Sequence, residues 1–536
     1  MDGLMMAYEL TIPAILRRAE SLFGEREIVT RLPDRSLHRY TYADMGRRAR
    51  RLASALRSLG VKPGDRVATL AWNHFQHLEA YFGVPMLGAV VHTLNLRLSG
   101  DDLAYIVGHA GDTVLLVDEG LLPVFEKFRE RVSIQHVIVM SPTATDRPDL
   151  LDYETLLSSA DPDAEFPEPR EADAAAMCFS SGTTGKPKGV LYSHRAVVLH
   201  SMAEAMVDTL GLSQADTALP VVPMFHVNAW GMPFTCALVG AKQVLPGPYL
   251  DGDSLLELFE GEKVTFTAGV PTIWIGILAA LEKTPGRWNP PAGLRMVVGG
   301  SAAPLSLIKA FDRHGLKVIH AWGMTETTPL AAVSNLRSEL TGTSVDEQYA
   351  ARAKQGVPVP FVEVRARGDD GLIPHDGTAM GELEVRGPWI AGAYYDAPDG
   401  QDRFTPDGWF KTGDVVTIDA LGYMEIKDRS KDLIKSGGEW ISSVALENAL
   451  MGHPAVSEAA VIAIPDEKWQ ERPLAVVILK EGKQATKEEL IDFLRPSFAK
   501  FWLPDDVAFT ATIPRTATGK FLKTALRDTY GAGAKH

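Results

Sequence analysis

Ten consecutive residues combine the side chains and the backbone freedom that binding of a polyphosphate needs. They read Ser180-Ser181-Gly182-Thr183-Thr184-Gly185-Lys186-Pro187-Lys188-Gly189. Glycines let backbone N–H groups approach an anion, hydroxyls donate further hydrogen bonds, and two lysines supply positive charge. Apolar residues flank the segment, which predicts a turn between two strands. A flexible linker fits the composition at least as well, and Pro187 rules out the Walker spacing because it directly follows Gly185-Lys186.

The whole chain has the composition of a soluble globular protein with a large core. It has 536 residues, 46% hydrophobic and 23% charged, and this length indicates two or more domains. The net charge of -14 argues against nucleic-acid binding, which needs a basic surface. The cluster of Arg47, Arg48, Arg50, Arg51 and Arg57 is interpreted as the solvated face of a helix, with weak contact to a membrane surface or a partner as the alternative.

Cysteine usage and hydropathy predict the compartment. The two cysteines, Cys178 and Cys236, lie in apolar segments and form neither a disulfide framework nor a metal pattern, which fits a reducing environment. The N-terminus has no basic region followed by an apolar one, and no stretch of about twenty apolar residues occurs. We therefore expect a cytoplasmic protein without a membrane span.

Strands alternate with helices over most of the chain, which predicts an α/β fold with doubly wound, mostly parallel sheets. Thr41 and Asp44 form a capping-box pattern before a helix that we expect to end near Gly60. The other elements predicted before residue 300 are helices at 73–87 and from about 100, and strands at 66–71, 89–93, 113–118, 217–222, 242–245, 264–268 and 294–298. Because ligands bind beyond the carboxyl ends of such strands, segments 299–304 and 319–327 are expected to share a crevice with segment 180–189.

The pattern changes to short strands and turns from about Gly356, which predicts a small β-rich unit. A polar passage then precedes an α+β block with helices at 443–451 and 487–494 and strands at 459–464 and 474–479. The predicted domains are a large N-terminal domain of residues 1–427, a hinge linker of residues 428–433 and a small mobile C-terminal domain of residues 434–536.

Four further motifs follow the first one along the chain. They are Gly323-Met324-Thr325-Glu326-Thr327, Trp409-Phe410-Lys411-Thr412-Gly413-Asp414, Asp428-Arg429-Ser430-Lys431-Asp432 and Pro514-Arg515-Thr516-Ala517-Thr518-Gly519-Lys520. In order and separation, the five motifs resemble those of the adenylate-forming superfamily, which includes acyl-CoA synthetases, firefly luciferase and the adenylation domains of peptide synthetases. The resemblance extends from about Leu10 to Arg527. Segments 223–230 and 435–440 are most similar to medium- and long-chain fatty acyl-CoA synthetases and to methylmercaptopropionate-CoA ligases.

The resemblance implies an AMP-forming carboxylate-CoA ligase that uses Mg²⁺, ATP and coenzyme A. A small-molecule carboxylic acid would react with ATP to give acyl-adenylate and pyrophosphate, and CoA would then displace AMP. The alternatives are transfer of the acyl group to a carrier protein, and activation of methylmercaptopropionate or another short-chain acid. A peptide-synthetase domain typically has an Asp in its pocket, whereas residues 269–275 are apolar, and a luciferase-like oxygenase has no support beyond shared ancestry. The acyl chain, the pathway and homodimerisation stay open.

The resemblance also assigns catalytic and metal-binding roles. Catalysis is assigned to Lys520, Glu326 and His226. Lys520 would relieve the repulsion between the carboxylate and the polyphosphate, and His226 would lie near the reacting carbonyl. Thr183 and Glu326 would bind Mg²⁺, a hard cation that prefers oxygen ligands.

Nucleotide recognition is implied for residues of four of the five motifs and for residues near them. Asp414 would accept hydrogen bonds from both ribose hydroxyls, Arg429 would reach the ribose or a phosphate, and Trp322 would stack on adenine in place of the usual Tyr. The full set for ATP and AMP is Ser180, Ser181, Gly182, Thr183, Thr184, Gly185, Lys188, Gly300, Ser301, Ala302, His320, Ala321, Trp322, Gly323, Met324, Thr325, Asp414, Arg429 and Lys435.

The remaining roles concern the acyl group, CoA and the hinge. The implied acyl pocket consists of His226, Trp230, Val270 and Gly300, and Trp230 would gate it. Lys431 matches the family's hinge, around which the C-terminal domain would rotate between the two half-reactions. The implied CoA channel consists of Ser436, Gly437, Gly438, Glu439 and Trp440.

Overall fold

A computed structural model describes residues 1, 3–141, 147–161, 163–180, 186–437, 439–516 and 521–531. The helices are α1 Ile12–Phe23, α2 Tyr42–Ser58, α3 Phe75–Met86, α4 Gly100–Ala110, α5 Leu122–Phe125, α6 Tyr153–Ser159, α7 His194–Ala205, α8 Val227–Trp230, α9 Met232–Val239, α10 Gly252–Gly261, α11 Pro271–Lys283, α12 Leu305–Arg313, α13 Val345–Ala353, α14 Ser443–Met451, α15 Lys487–Leu494 and α16 Lys523–Tyr530. Short 3-10 helices span Glu119–Leu121, Arg129–Arg131, Thr325–Thr327, Ser338–Leu340, Pro398–Arg403 and Lys500–Trp502.

The strands, in chain order, are β1 Glu27–Arg31, β2 Leu37–Thr41, β3 Arg66–Leu70, β4 Val90–Thr93, β5 Val114–Asp118, β6 His136–Met140, β7 Leu151–Asp152, β8 Ala174–Phe179, β9 Gly189–Ser193, β10 Thr217–Pro220, β11 Lys242–Leu245, β12 Phe266–Gly269, β13 Arg295–Val298, β14 Lys317–Gly323, β15 Leu330–Val333, β16 Val357–Pro358, β17 Glu363–Gly368, β18 Gly371–Leu372, β19 Gly381–Arg386, β20 Phe410–Ile418, β21 Met424–Arg429, β22 Ile434–Ser436, β23 Glu439–Ile441, β24 Val456–Asp466, β25 Gln470–Leu479 and β26 Asp506–Phe509.

Two mostly parallel sheets form the large N-terminal part and confirm the predicted α/β class. One has seven strands in the order β7-β6-β5-β3-β4-β8-β9, and the other has nine in the order β16-β15-β14-β13-β12-β10-β11-β1-β2. The central strands of both run parallel, whereas β8 and β9 pair antiparallel, as expected for strands joined by a turn. Segment 180–189 therefore joins an antiparallel pair at the edge of a parallel sheet.

Two smaller sheets follow, as the change of pattern near Gly356 predicts. The first is an antiparallel sheet in the order β18-β17-β19-β20-β21. The second contains β22 to β26 and packs with α14, α15 and α16. Its apolar residues form cores of their own, around Leu446, Val461 and Val476, apart from the cores of the parallel sheets. These separate cores are consistent with the predicted domain division, which stays a prediction.

Helix starts with strong caps were predicted well. Thr41 and Asp44 form the expected capping box, and α2 ends at Ser58, two residues before the predicted Gly60. The predicted bounds of α14, α15 and β11 match the structure. Strand bounds in the parallel sheets differ by up to two residues from the prediction, because buried apolar runs continue past the last ladder hydrogen bond.

The arginine-rich helix α2 is bound to the rest of the protein. Arg48 pairs with Glu79 and Glu154 at 2.7 Å each, and Arg50 pairs with Glu20 at 2.5 Å. The interpretation of this cluster as a solvated face is therefore wrong for these two side chains, because both are partly buried and paired with carboxylates, of which Glu79 is fully buried. None of the helices within the described residues is long and apolar enough to cross a membrane.

The end of β14 tolerates no side chain at Gly323. A Cβ atom there would lie 1.8 Å from the carbonyl oxygen of Pro329, which is far inside van der Waals contact. We expect Gly323→Ala to lower the free energy of unfolding by about 1–3 kcal/mol, because backbone must shift to accommodate the methyl group. Urea denaturation measures this change.

A matched control is Gly108→Ala, because Gly108 lies on α4 and a Cβ there meets nothing within 4 Å. This variant should be as stable as the wild type or slightly more stable, since alanine favours the helix. Equal stability of the Gly323→Ala variant would contradict the predicted clash.

Candidate active site

A single cavity of about 810 Å³ collects residues that follow strands of both parallel sheets. Ser180 follows β8, Val270 follows β12, Gly300 follows β13, and Trp322 lies at the end of β14. This is the crevice that strand ends in doubly wound sheets predict. The predicted site residues that border it are Ser180, Lys188, His226, Trp230, Val270, Gly300, Ala321, Trp322, Gly323, Met324, Thr325, Glu326, Arg429 and Lys431.

The base of the predicted phosphate segment is closed by two hydrogen bonds. The Ser180 N–H donates to the carbonyl of Lys188 at 2.9 Å, and the Lys188 N–H donates to the Ser180 hydroxyl at 3.1 Å. The Lys188 ammonium pairs with Asp399 at 2.5 Å at the mouth of the cavity. The predicted ligands Ser181, Gly182, Thr183, Thr184 and Gly185 lie outside the described residues.

Glu326 is a buried carboxylate held by one tyrosine. It lies in the 3-10 turn after β14, is 5% exposed, and accepts a hydrogen bond from the Tyr394 hydroxyl at 2.6 Å. Burial raises the pKa of Tyr394, so this hydroxyl remains a donor at neutral pH. Within the described residues no group of three His, Cys, Asp or Glu side chains could hold a metal ion. Glu326 is therefore suited to bind a cation as a single protein carboxylate, with the other ligands supplied by a substrate.

The carboxylate of Asp414 has a different donor on each oxygen. The Trp322 indole N–H donates to Oδ2 at 3.1 Å, and the Arg429 Nε pairs with Oδ1 at 2.8 Å. Each carboxylate oxygen retains a further acceptor position, which leaves room for the two predicted ribose hydroxyls. The indole ring thus has a hydrogen-bonding role besides the predicted stacking.

A second cavity of about 230 Å³ adjoins the first through Gly300, Trp322 and Arg429. Gly300 has φ of 82°, a left-handed angle that favours glycine. His320 is buried beside this cavity and donates from Nδ1 to the carbonyl of Ala353 at 3.0 Å. Burial lowers the pKa of His320 to about 4, so the ring is neutral. The predicted site residues on this cavity are Gly300, Ser301, Ala302, His320, Ala321, Trp322, Gly323, Asp414 and Arg429.

His226 and Trp230 flank a left-handed backbone turn. Val227, Asn228, Ala229 and Trp230 have φ between 46° and 57°, and Gly231 follows at 83°. Left-handed non-glycine residues cost about 1–2 kcal/mol each, so such a run persists only where packing enforces it. The turn aims the indole of Trp230 across the cavity toward Gly299, where an added Cβ would lie 2.8 Å from the ring. The two predicted acyl-pocket residues therefore border the same cavity as Glu326.

The C-terminal unit presents only one of its two predicted motifs to this cavity. Thr516 and Phe521, which flank the segment of Lys520, border the cavity, while Lys520 itself lies outside the described residues. By contrast, Lys435 and Trp440 border neither cavity and pack on each other, with the ammonium 4.5 Å from the indole. Lys435 was predicted to bind ATP or AMP, and that role stays a prediction. Of the other predicted CoA residues, Ser436 ends β22, Gly437 follows it and Glu439 begins β23, while Gly438 and the Glu439 side chain lie outside the described residues.

A buried ionic cluster fixes this orientation. The Asp428 carboxylate, on β21, accepts hydrogen bonds from the Ser443 N–H at 2.7 Å and hydroxyl at 2.5 Å. Lys523 pairs with Glu447 at 2.7 Å and also donates to the Ser443 hydroxyl at 2.5 Å. Burial raises the pKa of Asp428 and of Glu447, whereas for Lys523 the neighbouring carboxylates outweigh burial and raise the pKa. Arg527 adds a pair with Asp432 at 2.5 Å.

Several residues at the cavity were missed by the sequence analysis. Tyr394 and Asp399 reach it from a turn-rich region more than 60 residues beyond Glu326, and no local pattern marks them. Glu204 borders the cavity from α7, where it lies on the buried face with His200, one turn earlier. A charged residue at a core position of an apolar helix was the available signal.

Comparison with known proteins agrees with this geometry. The family described as AMP-binding enzyme matches residues 16–395, and the AMP-binding enzyme C-terminal domain matches residues 445–520. A long-chain-fatty-acid–CoA ligase of Thermus thermophilus is 54% identical, with 98% of this chain and 96% of that protein covered. A 3-methylmercaptopropionyl-CoA ligase of Ruegeria lacuscaerulensis is 44% identical, with 99% of each chain covered. The crystal structure of the anthranilate CoA ligase AuaEII in complex with anthranoyl-AMP has a TM-score of 0.85 at 25% identity, with 99% of each chain covered.

The matched regions contain three of the five motifs, at 180–189, 323–327 and 514–520. The motifs at 409–414 and 428–432 lie between these regions, and the relatives align over nearly the full length. The expected superfamily, fold and enzyme class are thereby confirmed. The chain belongs to the AMP-binding enzyme family and is an AMP-forming carboxylate-CoA ligase.

Proposed function

We propose that the chain activates an aliphatic carboxylic acid, of the fatty-acid class, with Mg²⁺ and ATP and transfers it to CoA. The observation that carries this proposal is the apolar wall of the larger cavity around Trp230. Leu210, Val227, Val297 and Leu330 come from four separate segments and border the same space as the nucleotide residues. Apolar side chains of this kind suit an alkyl tail rather than a charged one. The name of the Thermus thermophilus relative supports the same class.

The first half-reaction joins two anions. A carboxylate oxygen of the acid attacks the α-phosphorus of ATP, the bond to the bridging oxygen of pyrophosphate breaks, and acyl-adenylate forms. Catalysis consists of positioning and charge stabilisation, and no protein nucleophile is required. We assign Asp414 and Trp322 to holding the nucleoside, Lys188 and the segment after Ser180 to the phosphates, and Lys520 to the charge that develops during transfer.

The residues at Glu326 fit Mg²⁺. This cation keeps an octahedral shell of oxygen ligands and is usually bound by one or two carboxylates plus substrate phosphates. Glu326 supplies one buried carboxylate, whose orientation is held by the hydroxyl of Tyr394. When bound, Mg²⁺ neutralises phosphate charge, and the proposed protein ligands are Glu326 and Thr183.

The second half-reaction requires a different orientation of the C-terminal unit. The CoA thiol attacks the acyl carbon, loses its proton, and AMP leaves as the carbon–oxygen bond breaks. Of the described CoA residues, Ser436, Gly437 and Trp440 border neither cavity, whereas Thr516 and Phe521, which flank the segment of Lys520, border the larger one. We therefore propose rotation around Lys431, which would separate Asp428 from Ser443 and Lys523. The domain bounds, a cytoplasmic location and homodimerisation stay predictions.

The proposed substrate class is tested by pyrophosphate release over a panel of acids, with CoA present. The panel contains straight-chain acids of short, medium and long length, 3-methylmercaptopropionate and aryl acids. A maximum of kcat/KM among medium or long straight chains supports the proposal. A maximum at 3-methylmercaptopropionate or at an aryl acid would replace the fatty-acid class by that class.

Tyr394→Phe removes the hydrogen bond to Glu326 and keeps the ring. We expect the Mg²⁺ concentration for half-maximal pyrophosphate release to rise about tenfold, because a group that orients a metal ligand typically contributes 10–100-fold in affinity. Tyr395→Phe is the matched control, since Tyr395 makes no hydrogen bond to Glu326. An unchanged Mg²⁺ requirement in the Tyr394→Phe variant would contradict the role of Glu326.

Trp230→Ala should change the ranking of chain lengths more than the KM for ATP, because the indole borders the proposed acyl pocket. Gly299→Ala should also change this ranking, because the added methyl group would displace the indole of Trp230. The acid panel and ATP titrations measure both effects. If kcat/KM keeps the same dependence on chain length and only the free energy of unfolding falls, Trp230 is a packing residue.

Lys431→Pro fixes φ at the proposed pivot and restricts the preceding residue as well. We expect thioester formation to slow far more than pyrophosphate release in single-turnover measurements. Equal slowing of both steps by Lys431→Pro would place the pivot elsewhere.

Lys520→Ala should give the opposite pattern. The rate of adenylation should fall by at least about 10²-fold, while thioester formation from supplied acyl-adenylate survives.

A further inference from the structure

One carboxyl group borders the larger cavity among apolar side chains. Glu204 belongs to α7, is 1% exposed, and borders the cavity together with Leu210, Val227 and Trp230. Burying a carboxyl group among apolar side chains costs free energy unless it is hydrogen-bonded. The mechanism of adenylation gives this group no task.

Within the described residues, Thr235 is the only side chain that hydrogen-bonds to the Glu204 carboxyl. The Thr235 hydroxyl lies 2.5 Å from Oε2 of Glu204 and 3.3 Å from the carbonyl oxygen of Gly231. A hydroxyl has one proton, so if it donates to Gly231, the Glu204 carboxyl must itself be the donor toward Thr235. This arrangement satisfies Oε2, whereas no hydrogen bond found among the described residues uses Oε1.

The surroundings keep this carboxyl uncharged at neutral pH. Burial raises the pKa of Glu204 to about 8. His200, one helical turn away, accepts a hydrogen bond at Nε2 from the Leu330 N–H at 3.1 Å, and burial lowers its pKa to about 3, so the ring is neutral. Among the described residues no Lys or Arg forms an ion pair with Glu204. A tail with a second carboxylate would therefore find no compensating cation here.

We propose that Glu204 forms a hydrogen-bonding subsite in the acyl pocket, selecting acids whose tail carries an uncharged oxygen, such as an ω-hydroxyl, over acids of equal length that end in a methyl group. The proposal rests on the proposed function, because it takes the cavity around Trp230 as the acyl pocket. A terminal methyl group would leave Oε1 without a partner, whereas a hydroxyl can donate to it. Sites that hydrogen-bond a substrate hydroxyl discriminate strongly against the analogue that lacks it.

The test compares straight-chain acids with ω-hydroxy acids of the same length. For each pair, kcat/KM for pyrophosphate release with CoA is measured in the wild type, in Glu204→Leu and in Glu204→Gln. At the length where the tail reaches Glu204, the hydroxy-to-methyl ratio should be at least about tenfold higher in the wild type than in Glu204→Leu. Glu204→Gln should keep most of the wild-type ratio, because an amide also hydrogen-bonds. At shorter lengths the three ratios should agree.

Leu210→Met is the matched control, because it reshapes the apolar wall without removing the carboxyl. It should shift the preferred length and leave the hydroxy-to-methyl ratio unchanged. Equal ratios in the wild type and in Glu204→Leu at every length would overturn the subsite while leaving the fatty-acid proposal intact. A preference for ω-amino acids over ω-hydroxy acids would also overturn it, since that result requires an ionised Glu204. Absence of pyrophosphate release with every aliphatic acid would overturn the proposed function itself.

Discussion

Two anions must meet in one cavity of a protein whose net charge is -14, and the charges around that cavity follow from this constraint. A carboxylate and a polyphosphate repel each other most strongly where water is excluded. Among the described residues, seven cationic side chains, including Lys186 and Lys188, and six acidic ones border the cavity, so its lining is close to balanced in charge although the whole chain is acidic. Pairing with acids such as Asp399 holds these cations in place before substrate arrives. For this reaction, the charge around the cavity therefore matters more than the net charge of the whole chain.

The fold could be predicted from local patterns to a large extent, because its determinants are local. Capped helices such as α14 and α15 begin where a side chain satisfies the first free N–H groups, and the sequence displays that residue directly. The meeting of Gly300 with Trp322 also follows from a local rule, since both end parallel strands. Tyr394 and Glu204 could not be predicted in the same way. Their partners are distant in sequence, and only the packing of whole elements decides which cavity they border.

Backbone strain accompanies the residues that we propose to face the acid. The left-handed turn that contains Trp230 is unfavourable in isolation, yet Val227 and Ala229 are buried and the Cys178 thiol contacts the Asn228 amide oxygen at 2.7 Å. These contacts hold the turn, and the turn fixes the backbone from which the indole of Trp230 projects. The same turn brings Gly231 close to His200 and Glu204. One strained segment thus positions both the gate and the polar end of the proposed acyl pocket.

The contacts that join the C-terminal unit to the cavity region include hydrogen bonds to Asp428 and an ion pair with Asp432. Asp428 lies before Lys431 in the chain, whereas its partner Ser443 and the neighbouring Lys523 lie after it. Rotation around Lys431 would move these groups apart and return the Asp428 carboxylate to water, so hydration offsets part of the lost pairing. A buried apolar interface would have no such compensation, because exposing it to water costs free energy in proportion to its area. An ionic contact therefore suits the proposed rotation better than an apolar one, because its charged groups regain hydration when the contact opens.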